Sequence, residues 1–368
     1  MVLVKTNRDD LLTPLAAVSA IIERRHTLPI LSNVLIECNA GALAFLATDI
    51  EIQITSRGLL ESSGEARSVT VGARKLVDIL RALPEGAEVT LQQQDKRLLV
   101  KAGKSRFVLQ TLPAEDFPRL AKPSGEVAQF SLPQKALRRL LGLAQYAMAQ
   151  QDIRYYLNGM LMVVEDQTLK LIATDGHRLA YAATALAATL PRQEVIVPRK
   201  SVLELAKLLS DGDGEVWVEL SATQAAFTFG GVELVSKLVD GKFPDYTRVI
   251  PVGHKNKLSI GREPLRQALL RVAILSNEKF RGVRWVLTDG NLKIVSSNTE
   301  QEEAEETLEV VYQGDAIDIG FNVNYLLDVL NNVGGTEVEC RFGDSGSSAL
   351  MSFPSEADFK YVVMPMRI

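Results

Sequence analysis

Two periodicities alternate along this chain of 368 residues. Segments with apolar residues three and four apart read as amphipathic helices, and short Val/Leu/Ile-rich runs between turn residues read as strands. Helical spacing is found in 13–25 (TPLAAVSAIIERR), 133–148 (PQKALRRLLGLAQYAM) and 263–275 (EPLRQALLRVAIL). Each is followed by a strand ending in small polar residues: ALAFLATD (42–49), TLKLIATD (168–175) and NLKIVSSN (291–298). A strand running into a second helix comes next, in 69–83, 195–209 and 317–333. A closing hairpin ends each set, in 106–120, 232–249 and 358–368.

The spacing recurs as well as the order. ATD at 47 returns at 173, a step of 126 residues, and DFP at 116 matches KFP at 242, again 126. NLKIVSSN begins 123 residues after TLKLIATD. Agreement at independent landmarks predicts three tandem similar domains of the α+β class, each with two helices and antiparallel sheets. Their expected bounds are 1–122, 123–252 and 253–368; the last has lost the FP dipeptide and so has diverged at its end.

Charge changes this picture. The net charge of −4, from 41 basic and 45 acidic side chains, argues against a surface that binds polyanions everywhere. It does not exclude segregated charge, because net charge averages over faces. At about 100° per residue, Leu137, Leu140, Leu141, Ala144 and Met148 share one side of their helix, opposite Lys135, Arg138 and Arg139. The first copy offers Arg24 and Arg25 at the end of its helix, and the third offers Arg262, Arg266 and Arg271. The second helices add Arg74, Lys75 and Arg81, then Arg199, Lys200 and Lys207, whereas FNVNYLLDVLNN carries no cation. A basic stripe on a single helix is ordinarily a solvated face; its recurrence on most of the equivalent helices points to a common anionic target. Acid is gathered too, in EQEEAEE (300–306), while VKAGKSRF (100–107) carries Lys101, Lys104 and Arg106. These read either as solvated loops or as complementary edges that meet between two copies.

ATDGHRLAYA (173–182) puts Asp175, His177 and Arg178 together in a chain with only three histidines, which raises an acid–base reading. The other parts of an enzyme are missing: there is no phosphate-binding or dinucleotide glycine loop, no H-E-x-x-H and no G-x-S-x-G. SDGDGEV (210–216) lacks the later ligands of a calcium loop and reads as a turn. Cys38 and Cys340 match no metal or redox spacing and read as buried, reduced thiols. No cofactor or metal is expected. Without a basic-then-apolar leader or an apolar run of membrane-spanning length, the chain reads as cytoplasmic with no membrane partner. The apolar ends FPDYTRVI and YVVMPMRI belong either to a core or to a partner surface. A metal-dependent hydrolase or nuclease using Asp175 and His177, and a repeat scaffold that ignores DNA, stay as alternatives on these residues alone.

QDIRYYLNGM, ATDGHRLA, VIVPRK, SKLVDGKFPDY, AILSNEKFRGVR, EQEEAEE, GFNVNYLLDVL and YVVMPMRI together resemble the bacterial sliding-clamp family, the beta subunits of DNA polymerase III, over essentially the whole chain. The resemblance implies the DNA clamp fold in a head-to-tail dimer that forms a ring, with helices lining the hole. It implies a non-catalytic processivity factor of a DNA polymerase holoenzyme. The implied partners are enclosed duplex DNA without sequence preference, a second copy, the replicative polymerase alpha subunit, the clamp loader, and other polymerases and repair proteins that share one groove.

Carried over by position, the DNA contacts would be Arg25, Arg74, Gln151, Tyr155, Tyr156, Arg199 and Lys200, beside the basic stripe Lys135, Arg138 and Arg139. The partner-peptide groove would comprise Leu157, Thr174, Gly176, His177, Arg178, Leu179, Pro244, Arg248, Val249, Ser348, Val362, Val363, Met364, Pro365, Met366 and Arg367. In it His177 and Arg178 would present polar edges to a peptide. The dimer contact would set Phe107 and Leu109 against Ile274 and Leu275, with Glu300, Glu303 and their neighbours facing Lys75, Lys104 and Arg106. Gly346 and Ile368 depart from the usual family residues, a larger apolar side chain and leucine.

Overall fold

A computed structural model of the chain describes residues 2–22, 28–39, 41–59 and 66–367. These fall into two compact units, Met1–Lys135 with Leu203–Leu238, and Ala136–Val202 with Val239–Ile368.

Among the described residues six α-helices recur in pairs. In the first unit α1 (Arg8–Ser19) neighbours α2 (Ala73–Ala82). α3 (Gln134–Ala144) and α4 (Arg199–Leu208) follow in the second repeat. In the second unit α5 (Arg262–Val272) neighbours α6 (Val323–Asn332). α2 illustrates the helical pattern: Ala73, Leu76, Val77 and Leu80 are buried, while Arg74, Lys75, Asp78 and Arg81 face outward. On α3 the apolar side behaves as its spacing predicts, with Leu137, Leu140, Leu141 and Ala144 buried and Lys135 and Arg139 exposed.

α1 departs from expectation. It begins at Arg8, not at Thr13, and ends at Ser19, so Arg24 and Arg25 do not close it. Leu11, Pro14, Leu15 and Val18 form its buried stripe, and Asp9 and Asp10 occupy its first turn, where the positive end of the helix dipole favours acid. Pro14 therefore sits inside the helix instead of starting it, leaving the Asp10 carbonyl without its usual donor. Arg25 lies outside the described residues, as do Arg24, His26 and Ile368.

The sheets do not respect the repeats. In the first unit twelve strands form one antiparallel array, in which Ile52–Leu59 of the first repeat pairs with Val232–Lys237 of the second, Ile54 opposite Leu234. In the second unit seven strands join, and Arg178–Pro198 of the second repeat pairs with Glu356–Val363 of the third. A four-stranded sheet completes that unit, with Glu303–Glu309 at one edge. The segments expected to be closing hairpins each give only a single strand, the last of a hairpin; the first two run on to the 3-10 turns Ala114–Asp116 and Tyr246–Arg248, the third to the tail. Cys38 and Cys340 are both buried free thiols, and burial pushes them up to about 11 and about 12.

The recurring A-T-D landmark has a local cause. At each occurrence the aspartate caps a tight turn: Asp49 Oδ1 accepts from the Glu51 and Ile52 amides, both at 2.9 Å, and Asp175 Oδ1 accepts from His177 at 2.9 Å and Arg178 at 3.1 Å. Thr48 and Thr174 accept from the amides two residues on and donate to Ile52 O and Arg178 O. In the third repeat Asn298 Oδ1 does the work of the aspartate, accepting from Glu300 and Glu302. Side chains of this length reach their own backbone two residues on, which is why they favour turns.

Candidate functional site

That turn in the second repeat forms a wall of a cavity of about 430 Å³ in the second unit. Leu157, Leu179 and Val362 belong to the buried cluster beneath it, with Phe243 and Tyr246. Thr174, Gly176, His177 and Arg178 come from the turn, Pro244, Arg248 and Val249 from the segment before the third repeat, and Ser348 and Met364 from the chain's last hairpin and tail. The tail is pinned: the Met364 amide donates to His177 O at 2.9 Å and the Met366 amide to Gly320 O at 2.9 Å.

Sequence reading placed most of these residues together, and four of its groove candidates do not line the cavity. Val363 follows Val362 in the strand and so faces the other side, fully buried between Arg178 and Ala349. Pro365, Met366 and Arg367 continue past the cavity toward Gly320. Gly346 lies in an exposed loop capped by Asp344 Oδ1, which accepts from the Gly346 amide at 2.9 Å; it too is outside the lining.

Four further residues complete the lining: Arg154, Tyr156, Phe243 and Tyr246. Phe243 was legible in the FP landmark, whose first copy, Phe117, is also a buried anchor, packed with Leu35 and Leu46. Arg154 had no such signal. Its Nη2 bonds Asp152 Oδ2 at 2.8 Å and Asp175 O at 3.2 Å, laying the guanidinium along the turn. The hydrogen bond from Arg154 draws the Asp152 carboxyl down to about 2.

Arg178 does not present its guanidinium to the cavity as expected. Its side chain is only 9% exposed and turned inward, with Nε on Asp175 Oδ2 at 3.1 Å, Nη1 on Asp328 Oδ2 at 2.5 Å and Nη2 on Tyr146 O at 2.6 Å. Its carbon Cζ lies 4.4 Å from the centre of the Tyr325 ring. Burial opposes the charge, yet Tyr361, Asp328 and Asp175 outweigh it and hold the guanidinium above its ordinary range. Asp175 is thus tied to backbone amides and to Arg178, not to the His177 ring. Acid and imidazole share a turn without forming a catalytic pair. Among the described residues no three metal-ligating side chains cluster.

The basic candidates separate into two kinds. Arg74 and Arg81 flank a groove of about 690 Å³ between α1 and α2, lined otherwise by alanines, serines, Ile22, Val77 and Asp78; neither has an ion-pair partner among the described residues. Others are engaged: Lys135 with Asp213, Arg139 with Glu356, Arg266 with Glu263, Arg271 with Glu306, and Arg262 on Leu330 O and Gly335 O. Arg138 and Lys200 are half-buried and have partners as well. Half-buried Arg199 donates to Met148 O at 3.1 Å, and desolvation with the nearby Arg178 lowers it. Gln151 is exposed with φ +56, and Tyr155 and Tyr156 stand edge to face with ring centres 5.9 Å apart.

Among the described residues, two of the open strand edges carry residues expected at the dimer contact. In Ser105–Leu112 only Thr111 and Leu112 pair on the outer side, leaving Arg106, Phe107 and Leu109 on a free edge near Lys104. Glu303–Glu309 has no outer neighbour, Glu300 and Glu303 are exposed, and Ile274, 76% exposed, and half-buried Leu275 lie in the turn after α5.

Comparison with known proteins agrees along the whole chain. Residues 3–121, 131–245 and 247–367 match the family models of the N-terminal, central and C-terminal domains of the DNA polymerase III beta subunit. The beta sliding clamp of Pseudomonas aeruginosa is 50% identical over 365 residues, and that of Escherichia coli K12 is 47% identical over 361, each match covering 98% of both chains. The solved Pseudomonas aeruginosa sliding clamp bound to griselimycin superposes with a TM-score of 0.95 at 49% identity over 99% of both chains. Caulobacter crescentus pol III beta gives 0.93 at 37%, again over 99% of both. The chain belongs to the DNA polymerase III beta subunit family, the beta sliding clamps, which are non-catalytic processivity subunits of a polymerase holoenzyme.

Proposed function

We propose that two copies close head to tail into a ring around duplex DNA in the cytoplasm, and that the cavity walled by residues 174–179 and the tail holds short peptide segments of polymerases, the clamp loader and repair proteins. The observation that carries the groove reading is its chemistry: an apolar floor of Leu157, Leu179, Phe243 and Val362, a half-exposed, flexible Met364, and a few polar side chains among the lining, Thr174, His177 and Ser348. A cavity of this size and polarity suits a few apolar side chains with an extended backbone. Methionine at the rim lets one site accept several sequences.

The ring closes where an open edge meets another. Arg106, Lys104 and Lys75 of one copy face the glutamates of 300–306 in its partner, and Phe107 and Leu109 pack on Ile274 and Leu275. Strand addition satisfies both free edges, and the charges set register and partner. The repeat domains span 1–122, 123–252 and 253–368.

DNA is held by Arg25, Arg74, Lys135, Arg138, Arg139, Arg199 and Lys200, with Gln151, Tyr155 and Tyr156 meeting exposed bases or sugars. Phosphate contacts carry no sequence information, so the duplex slides; enclosure, not affinity, keeps the ring on it. An exposed ion pair such as Lys135–Asp213, with a single contact in water, is weak enough to open toward a phosphate. Tethering then raises the polymerase's effective concentration at the primer end.

A loading assay tests the whole reading. Rings loaded by a clamp loader should stay on closed circular DNA and run off once it is linearised. Equal loss from both, or turnover of DNA that disappears in His177→Ala, overturns it.

A further inference from the structure

Asp328 lies on α6, 150 positions from Arg178, and does not line the cavity. It is nonetheless one of the two acids that fix the inward guanidinium of Arg178, the other being Asp175 of its own turn. We propose that Asp328 is a positioning residue for the peptide groove, holding the 174–179 wall and the tail in place through Arg178.

Arg178 is the only side chain of that wall that reaches the third repeat by an ion pair among the described residues. Its three bonds run to three segments: its own turn at Asp175, the 3-10 turn Gln145–Ala147 at Tyr146 O, and α6 at Asp328. The ring of Tyr325, one turn before Asp328 on α6, covers the guanidinium face. Tyr361, in the strand that leads to Met364, donates to Tyr325 O at 2.8 Å, and its ring lies 5.9 Å from that of Tyr146. The backbone of the wall then takes the tail: His177 O accepts from Met364. One buried fork thus links α6 to both the turn and the tail that wall the cavity. A guanidinium with fixed donors in a plane can hold three partners at set angles; without Asp328 one arm of a nearly buried cation is left to find another acceptor.

This rests on the groove reading, and the experiment keeps the two apart. The probe is a fluorescein-labelled pentapeptide with two large apolar side chains, chosen to match the apolar floor of the cavity, titrated by polarisation into the intact protein. If the wild type does not bind it, the groove reading fails and this inference with it. If the wild type binds, Asp328→Asn should weaken affinity by about fivefold, mostly through faster dissociation, with a lowered melting temperature but a cooperative transition and unchanged dimer mass. Asp328→Glu should restore most of the loss, which a defect of packing alone would not allow. The double variant Asp328→Asn with Arg178→Lys should lose less than the product of the single losses. Wild-type affinity in Asp328→Asn, or multiplicative losses, overturns the inference. Should Asp328→Asn fail to fold, Tyr325→Leu, which keeps every charge but uncovers the guanidinium, takes its place with the same expectations.

Discussion

The guanidinium of Arg154 fills the space that a side chain at Gly176 would need: its Nη1 is 2.9 Å from where a β-carbon would stand. Gly176 has φ +89, but the equivalent turn of the first repeat carries Ile50 at φ +72, so that backbone tolerates a side chain at some strain. The left-handed backbone favours glycine here, and any side chain would also displace the Arg154 guanidinium from its place. Gly176→Ala should push the guanidinium off Asp175 O and weaken peptide binding about tenfold, at a stability cost of about 1 kcal/mol from the left-handed backbone. Polarisation titration with a melting curve checks both; unchanged affinity refutes the role given to Arg154.

The tail makes a second, coarser test. Deleting residues 364–368 removes the Met364 bond to His177 and the Met366 bond to Gly320 while leaving the strand Glu356–Val363 whole. Peptide affinity should be lost with the dimer intact by light scattering.

The proposed dimer edge carries an apolar pair, exposed Ile274 and half-buried Leu275, in the turn after α5. Ile274→Ala with Leu275→Ala should abolish dimerisation or weaken it by roughly a hundredfold, since buried apolar anchors dominate interface energy. Light scattering at low concentration should then report the monomer mass; an unchanged dimer argues against this interface.

Charge on the helices is uneven in effect. Arg74 and Arg81 flank an open groove, whereas Arg266 and Arg271 are held by Glu263 and Glu306. Replacing the first pair by glutamine should lower the salt slope of DNA association by about one per side chain, and replacing the second should leave it nearly unchanged. Equal slopes for the two double variants would contradict this division.

Asp152 sets the acid behaviour of the cavity wall. Hydrogen bonding from Arg154 draws its carboxyl below the ordinary range, to about 2. The unfolded chain takes up that proton at higher pH, so the contact favours the fold above the ordinary carboxylate pKa and its contribution fades as pH falls toward about 2. A carboxyl NMR titration should find the Asp152 midpoint depressed in the wild type and back in the usual range in Arg154→Gln.

Residues with a short-range job were legible before any coordinates. The Ala-Thr-Asp turns, the buried stripe of α3 and the FP anchors repeat because each solves a local problem, capping a turn or burying a helix face, that recurs wherever the same element recurs. Three copies of one pattern, with the family motifs, sufficed for the class of fold and named most of the residues that line the cavity. The start of α1 was misjudged because Thr-Pro is a strong local signal for a helix start, and a buried stripe overrode it.

What the chain by itself determined, then, is which elements form and which faces they bury, since those follow from side-chain period and turn chemistry. Only the tertiary structure decided how strands of neighbouring repeats share sheets, that Arg178 turns inward to Asp328, and that Arg154 rests on Gly176. Those outcomes depend on backbone pairing and on cations choosing among acids 2 to 150 positions away. Neither choice leaves a periodic trace in the order of residues.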